Sequence, residues 1–305
     1  MRRDFWLAGC RMLLLLAGLC LCGAEPQPAY AAGTKSGFFT TSDGVKIHYL
    51  EAGKGPAIVF VPGWSMPAWI WESQIKHFSE NFHAVAIDPR SQGESEKVAN
   101  GNDMERRARD VKELVEYLHL APAVLVGWSL GVPEVLSYAE QFGGDTVRGY
   151  VLVDGFAWTK QDLQFVASML GMYHQVETNR AAFTDRFVRS MYRKPQPEEY
   201  IQRVKAASMQ MPADSAVAAS VSSVSRADFS AAIKKMDKPV MVVCETQLKA
   251  MAADPIAALV PTARVELFED AGHALFVDDA ERFNRVLDDF IEHLPAAAAG
   301  ANAKN

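Results

Sequence analysis

The sequence predicts an α/β protein: a mostly parallel sheet, helices on both of its faces, and a block of helices let into it. Three observations predict this. Short apolar runs alternate with amphipathic stretches of helical period, the pattern of strands buried on both faces and joined by crossover helices. Between residues 156 and 235 the alternation stops and no convincing strand occurs. Within the alternating part, Gly127-Trp128-Ser129-Leu130-Gly131 stands between the apolar run 123–126 and a helical stretch opening at Val132.

The 305 residues are 49% hydrophobic and 22% charged, enough for a sizeable core. The net charge of −6 argues against a nucleic-acid partner or an anionic-membrane surface. Arg2, Arg3 and Arg11 accompany an apolar run, 12–22, that is too short to span a bilayer, and Ala29-Tyr30-Ala31 fits a small-x-small cleavage site. Residues 1–31 therefore read as a signal peptide, giving a secreted or periplasmic protein that starts near Ala32 and keeps no stable membrane anchor. Cys10, Cys20 and Cys22 leave with that segment, so Cys244 has no partner for an internal disulfide.

The elements follow in order. Runs 38–41 and 45–50 flank Ser42-Asp43-Gly44, a hairpin signal. Run 57–61 is a buried strand that ends at Pro62-Gly63-Trp64. Stretch 69–82 has a helical pattern, 83–88 is a strand, and its loop runs from Asp88 through Arg90 and Gly93 to Ser95. Stretch 105–120 is an amphipathic helix. The strand before Ser129 and the helix after it follow, and then strand 148–153, which ends in Asp154-Gly155. The insert, 156–235, is rich in Met, Ala, Gln and aromatics and is broken by Pro195, Pro197 and Pro212. Alternation resumes with strand 239–244, a helix near 255–260, strand 264–268, the loop Ala271-Gly272-His273 and a last helix, 280–294. Residues 296–305 are low-complexity and read as a disordered tail.

A strand, a sharp turn with glycines at 127 and 131, and a helix push Ser129 out at the carboxyl end of the sheet as a nucleophile. A serine hydroxyl needs a base. Of the seven histidines, His48, His77, His83, His119 and His293 sit within or at the ends of elements, and His174 lies in the insert. His273 alone follows a late strand on a glycine-bearing loop, at the same sheet edge as Ser129. No metal-ligand spacing, phosphate-cradling loop or dinucleotide fingerprint occurs, so no cofactor is implied, and a small-molecule substrate is the expected partner.

Together, Pro62-Gly63-Trp64, Asp88-x-Arg90-x-x-Gly93-x-Ser95, Gly127-x-Ser129-x-Gly131 and Gly272-His273 resemble the α/β-hydrolase superfamily, in its capped, serine-nucleophile, esterase/haloperoxidase-like branch. The resemblance runs from Phe38 to Leu294. It implies an α/β-hydrolase core at 32–155 and 236–295, with 156–235 as a helical cap after the sixth strand. It also implies that the backbone N–H groups of Trp64 and Leu130 form an oxyanion hole. The first motif departs from the family, because Pro62 stands where His-Gly is usual. The acid departs too. The family's usual Asp would follow strand 239–244, where this chain has Glu245-Thr246-Gln247-Leu248. Asp154 is the favoured acid, as in relatives that take it from the preceding strand. Glu245 is the alternative, with Asp254 and Asp270 behind it, and absence of an acid would mean an impaired site.

Trp128, Met66, Trp69 and Trp158 are the expected substrate-pocket residues, with Met169, Met172 and Met191 from the cap, suggesting an apolar and adaptable pocket. Asp88 and Arg90 read as a structural ion pair. The expected function is hydrolysis of a small-to-medium apolar carboxylic ester or related acyl substrate through an acyl-enzyme. Two alternatives share the same residues: a cofactor-free perhydrolase or haloperoxidase-like activity, and a non-catalytic ligand-binding homologue that kept the fold. Dehalogenation and epoxide opening would need a carboxylate at 129.

Overall fold

The computed structural model describes residue 30, residues 33–160 and residues 163–295. The signal-peptide and tail expectations fall outside these described residues, apart from Tyr30. Eight strands form one sheet in the order β1-β2-β4-β3-β5-β6-β7-β8. They are β1 (Lys35–Thr40), β2 (Lys46–Ala52), β3 (Ala57–Val61), β4 (His83–Ile87), β5 (Ala123–Trp128), β6 (Val147–Val153), β7 (Val240–Glu245) and β8 (Arg264–Phe268). β1 and β2 are antiparallel, joined through Asp43-Gly44, and every pairing from β4 to β8 is parallel.

Alternation along the central strands divides the core in two. On β5, Ala123 and Leu125 face one apolar cluster while Val124, Val126 and Trp128 face the other, and β3 divides in the same way. The first cluster is closed by α2 (Met104–Tyr117), α3 (Gly131–Phe142), α8 (Ser230–Lys234) and α9 (Lys249–Leu259). The second is closed by α1 (Glu72–Phe78), α10 (Leu275–Asp278) and α11 (Ala280–Glu292). Asp103 caps α2 by accepting from the Arg106 N–H at 2.8 Å.

The insert divides. α4 (Leu163–Thr178), α5 (Arg180–Ser190), α6 (Glu198–Gln210) and α7 (Ala213–Val224) supply the helices that meet the carboxyl edge of the sheet. α8 does not join them, because Ala232 and Ile233 are buried against the sheet beside α3. The cap rests on Trp64, whose indole N–H donates to the Ala216 carbonyl at 2.6 Å and whose ring meets Phe187 edge-on.

Candidate active site

Register brings the chemistry to one edge. Trp128 pairs with Val153, and Val153 with Val243. The residues just beyond these, Ser129 and Asp154, are therefore neighbours. The Ser129 N–H donates to Val153 O at 2.9 Å and the Asp154 N–H to Val243 O at 2.8 Å. Both side chains are thrown out of their strands by left-handed backbone, φ 54° at Ser129 and 46° at Asp154. That conformation costs a non-glycine residue on the order of 1–3 kcal/mol and persists where packing enforces it. Here the packing leaves no room for side chains around the turn. A Cβ on Gly127 would lie 2.4 Å from Gly131 O, and one on Gly131 would lie 2.5 Å from Val61 O.

His273 completes the set. Its Nδ1 lies 2.7 Å from Asp154 Oδ2 and its Nε2 lies 2.9 Å from Ser129 Oγ. A carboxylate only accepts, so Nδ1 carries the proton and Nε2 is left to accept from the serine. The backbone of the loop is fixed on two sides. The Trp128 indole N–H donates to His273 O at 2.9 Å, and Asp278 Oδ2 accepts from the Gly272 N–H at 2.8 Å. Gly272 is required because a Cβ there would lie 2.8 Å from Met191 O. Asp154 is fully buried, and its second oxygen accepts the backbone N–H of Glu245 at 2.7 Å. Glu245 thus serves the acid through its main chain, and its carboxylate does not reach the imidazole within hydrogen-bonding distance. Burial, then the nearby charge of Asp154, push the Glu245 carboxyl above its ordinary value.

The expected oxyanion residues flank the serine. Gly63 lies so close that a Cβ on it would sit 2.9 Å from Ser129 Cβ. Trp64 and Leu130 line the cavity with Ser129, and among the described residues neither of their backbone N–H groups donates to a protein acceptor. The loop carrying Trp64 is held from beneath by Gln92, which is fully buried. Its amide N–H groups donate to Gly63 O at 3.0 Å and Met66 O at 2.8 Å, and its oxygen accepts from the Ser65 N–H and from Arg107. All four hydrogen-bonding capacities of that amide are used. Arg107 in turn pairs with Glu134 in the first turn of α3 at 2.6 Å. A buried polar chain therefore links the Trp64 loop to the helix that begins after Leu130.

The cavity in front of Ser129 measures about 240 Å³. Its apolar walls come from Phe156, Phe165, Met169, Met172, Phe187 and Met251. Met169 and Met172 lie where expected, but the other expected pocket residues do not. Trp128 is buried under His273, Met66 is fully buried, and Trp69 packs edge-on to Tyr200 beneath the Arg203 guanidinium. Trp158 stacks on Phe156 and donates to Arg226 O, and Met191 is buried behind Gly272. These large side chains are consumed in packing the core. The walls come instead from helical stripes, of which Phe165, Met169 and Met172 on α4 follow a spacing visible in sequence. Ser220 and Leu248, also in the wall, carry no comparable signal.

Asp88 and Arg90 are structural, but they do not pair with each other. Asp88 binds His48 Nδ1 at 2.7 Å and the Ala68 N–H. Arg90 takes Asp110 through two hydrogen bonds, each 2.6 Å, and reaches Asp43. Two residues of one loop motif each recruited more distant partners.

A sequence model of the Alpha/beta hydrolase family matches residues 58–286. Over 120 residues the chain is 41% identical to a bifunctional esterase/perhydrolase of Acinetobacter calcoaceticus, a match covering 38% of this chain and 44% of that protein. Over 273 residues it is 28% identical to a non-heme chloroperoxidase of Kitasatospora aureofaciens, covering 83% of this chain and 98% of the other. An esterase from Exiguobacterium antarcticum has the same fold, with a TM-score of 0.76 at 21% identity over 84% of this chain and 98% of that one.

Proposed function

Because this chain belongs to the alpha/beta hydrolase family and is a serine-type hydrolase, we propose that it cleaves small-to-medium apolar carboxylic esters, or related acyl substrates, through an acyl-enzyme. The observation that carries this reading is the continuous hydrogen-bonded line Asp154–His273–Ser129 at the wall of an apolar cavity.

The steps follow from the geometry. Ser129 Oγ attacks the acyl carbon while its proton passes to His273 Nε2. Asp154, bonded to Nδ1–H, holds the imidazole in that tautomer and stabilises the imidazolium. The carbonyl oxygen becomes an oxyanion against the N–H groups of Trp64 and Leu130, where loss of one donor costs roughly 3–4 kcal/mol. Collapse breaks the acyl–oxygen bond, and the leaving alkoxide takes the proton from Nε2. Water repeats the sequence on the acyl carbon and regenerates the serine. Similarity to the esterase/perhydrolase and the chloroperoxidase supports a second course, in which hydrogen peroxide attacks in place of water and a peracid leaves.

The test is hydrolysis of chromogenic esters from acetyl to octanoyl, with and without peroxide, beside Ser129→Ala. Turnover that vanishes in the variant, with an unchanged melting temperature, is expected. An unchanged rate would contradict the assignment, and the partition between acid and peracid separates the two courses. The same proposal takes residues 1–31 as an export signal. It expects the exported protein to begin near Ala32, and N-terminal sequencing that found Met1 would refute that part.

A further inference from the structure

Beside the apolar cavity lies a polar cleft of about 460 Å³, and the two share one residue, His273. The short turn Thr246–Leu248 separates them: Leu248 lines the cavity and Gln247 the cleft. Arg193 and Glu245 also line the cleft. Both are pinned by their main chains. The Arg193 N–H donates to Asp278 at 2.7 Å and the Glu245 N–H to Asp154 at 2.7 Å. Among the described residues neither side chain forms an ion pair or a hydrogen bond, and the Glu245 carboxyl feels the charges of Arg193 and His273 only through space. Charged neighbours on the same segments are committed, Arg189 to Glu198 and Asp278 to Gln196 and the loop N–H groups. An exposed cation, a partly exposed carboxyl and an exposed amide line one space beside the base, with the main chains of Arg193 and Glu245 held in place.

The leaving oxygen takes its proton from His273, so the leaving group must rest against that imidazole. Of the cavity and the cleft, both bordered by His273, the cavity has apolar walls suited to an acyl chain. We propose that the other is the leaving-group subsite and that it takes a dihydroxy acid, with Arg193 pairing its carboxylate and Glu245 and Gln247 receiving the hydroxyl that is not esterified. This rests on the acyl-enzyme reading above and adds the alcohol half of the substrate. No new bond chemistry is required, because the acyl–oxygen bond breaks and the dihydroxy acid departs with the His273 proton.

The test compares the monobutanoyl ester of glyceric acid with its methyl ester, which carries the same acyl group without the negative charge. The wild type should favour the anionic ester. Arg193→Gln should lower kcat/KM for it about 10-fold more than for the methyl ester, the scale of one charge-assisted hydrogen bond, and Arg193→Lys should restore part of the preference. The effect should fall on acylation alone, because the butanoyl-enzyme is common to both esters. Equal losses on both esters, or no preference in the wild type, would overturn the subsite. So would failure to hydrolyse either ester while a fluorophosphonate still labels Ser129. If labelling fails as well, the acyl-enzyme reading falls and the subsite with it.

Discussion

Asp154 and Glu245 stand at the carboxyl ends of neighbouring strands, and each is a carboxyl group close to His273. They differ in how they leave their strands. Asp154 turns out of β6 through left-handed backbone, is fully buried and gives one oxygen to the imidazole and the other to an N–H. Glu245 continues β7, donates its N–H to Asp154 and leaves its carboxyl in a polar cleft, partly exposed. Glu245, at the end of β7, thus supports the acid instead of replacing it. A triad carboxylate is selected by the backbone that aims it and the donors that hold it, so its place in the chain can move by one strand without altering the geometry.

The comparison breaks most sharply at the acid itself. Asp154→Asn should cut kcat about 10⁴-fold, because an amide no longer holds the imidazole in the accepting tautomer. Steady-state kinetics on any hydrolysed ester would check it, and a loss under tenfold would shift the role elsewhere. The next effect lies on the oxyanion side. Gln92→Glu keeps the acceptor oxygen for Ser65 and Arg107 but loses both donors to Gly63 and Met66. It should lower kcat by about 10²-fold, near the scale of one oxyanion donor. A tetrahedral-adduct inhibitor should weaken in parallel while KM changes little; a lower melting temperature with unchanged inhibitor affinity would limit Gln92 to stability.

Glu245→Gln sharpens the contrast from the other side, because it keeps the N–H that bonds Asp154. For simple alkyl esters its kcat/KM should stay within about fivefold, the scale of one exposed charge. Its smaller signature is in stability. Burial raises the Glu245 carboxyl above its unfolded value, so its contribution to stability is present at pH below the unfolded pKa and is lost as pH rises through the folded one. The variant is neutral throughout. Its melting temperature relative to wild type should therefore rise across the mildly acidic range, and a difference that falls with pH would contradict this placement.

Much of this was legible in advance because it depends on local rules. Alternating apolar runs gave the strands, Gly127 and Gly131 the elbow, and Gly272-His273 the base, since each reflects packing within a few residues. The pocket was not legible. Trp128, Met66, Trp69 and Trp158 stand on or just beyond the carboxyl ends of β5, β3 and β6, yet Trp128 is buried beneath His273 and the other three pack into the core and against the cap. The walls come from helices whose placement depends on tertiary contacts such as the Trp64–Ala216 hydrogen bond. Gln92 was equally hidden, as its importance lies in four partners brought together by folding. Asp154 was favoured with Glu245 as its rival for the same reason: sequence places carboxyls at both strand ends, and backbone direction separates them.

The most direct test needs no knowledge of the natural substrate. The rate at which a fluorophosphonate labels Ser129, followed by intact mass and peptide mapping, reports how strongly His273 activates the serine. Wild type should label at Ser129, Glu245→Gln should label at nearly the wild-type rate, and Asp154→Asn should be slower by about 10³-fold or more. Fast labelling of Asp154→Asn beside slow labelling of Glu245→Gln, or an adduct on a residue other than Ser129, would contradict the account.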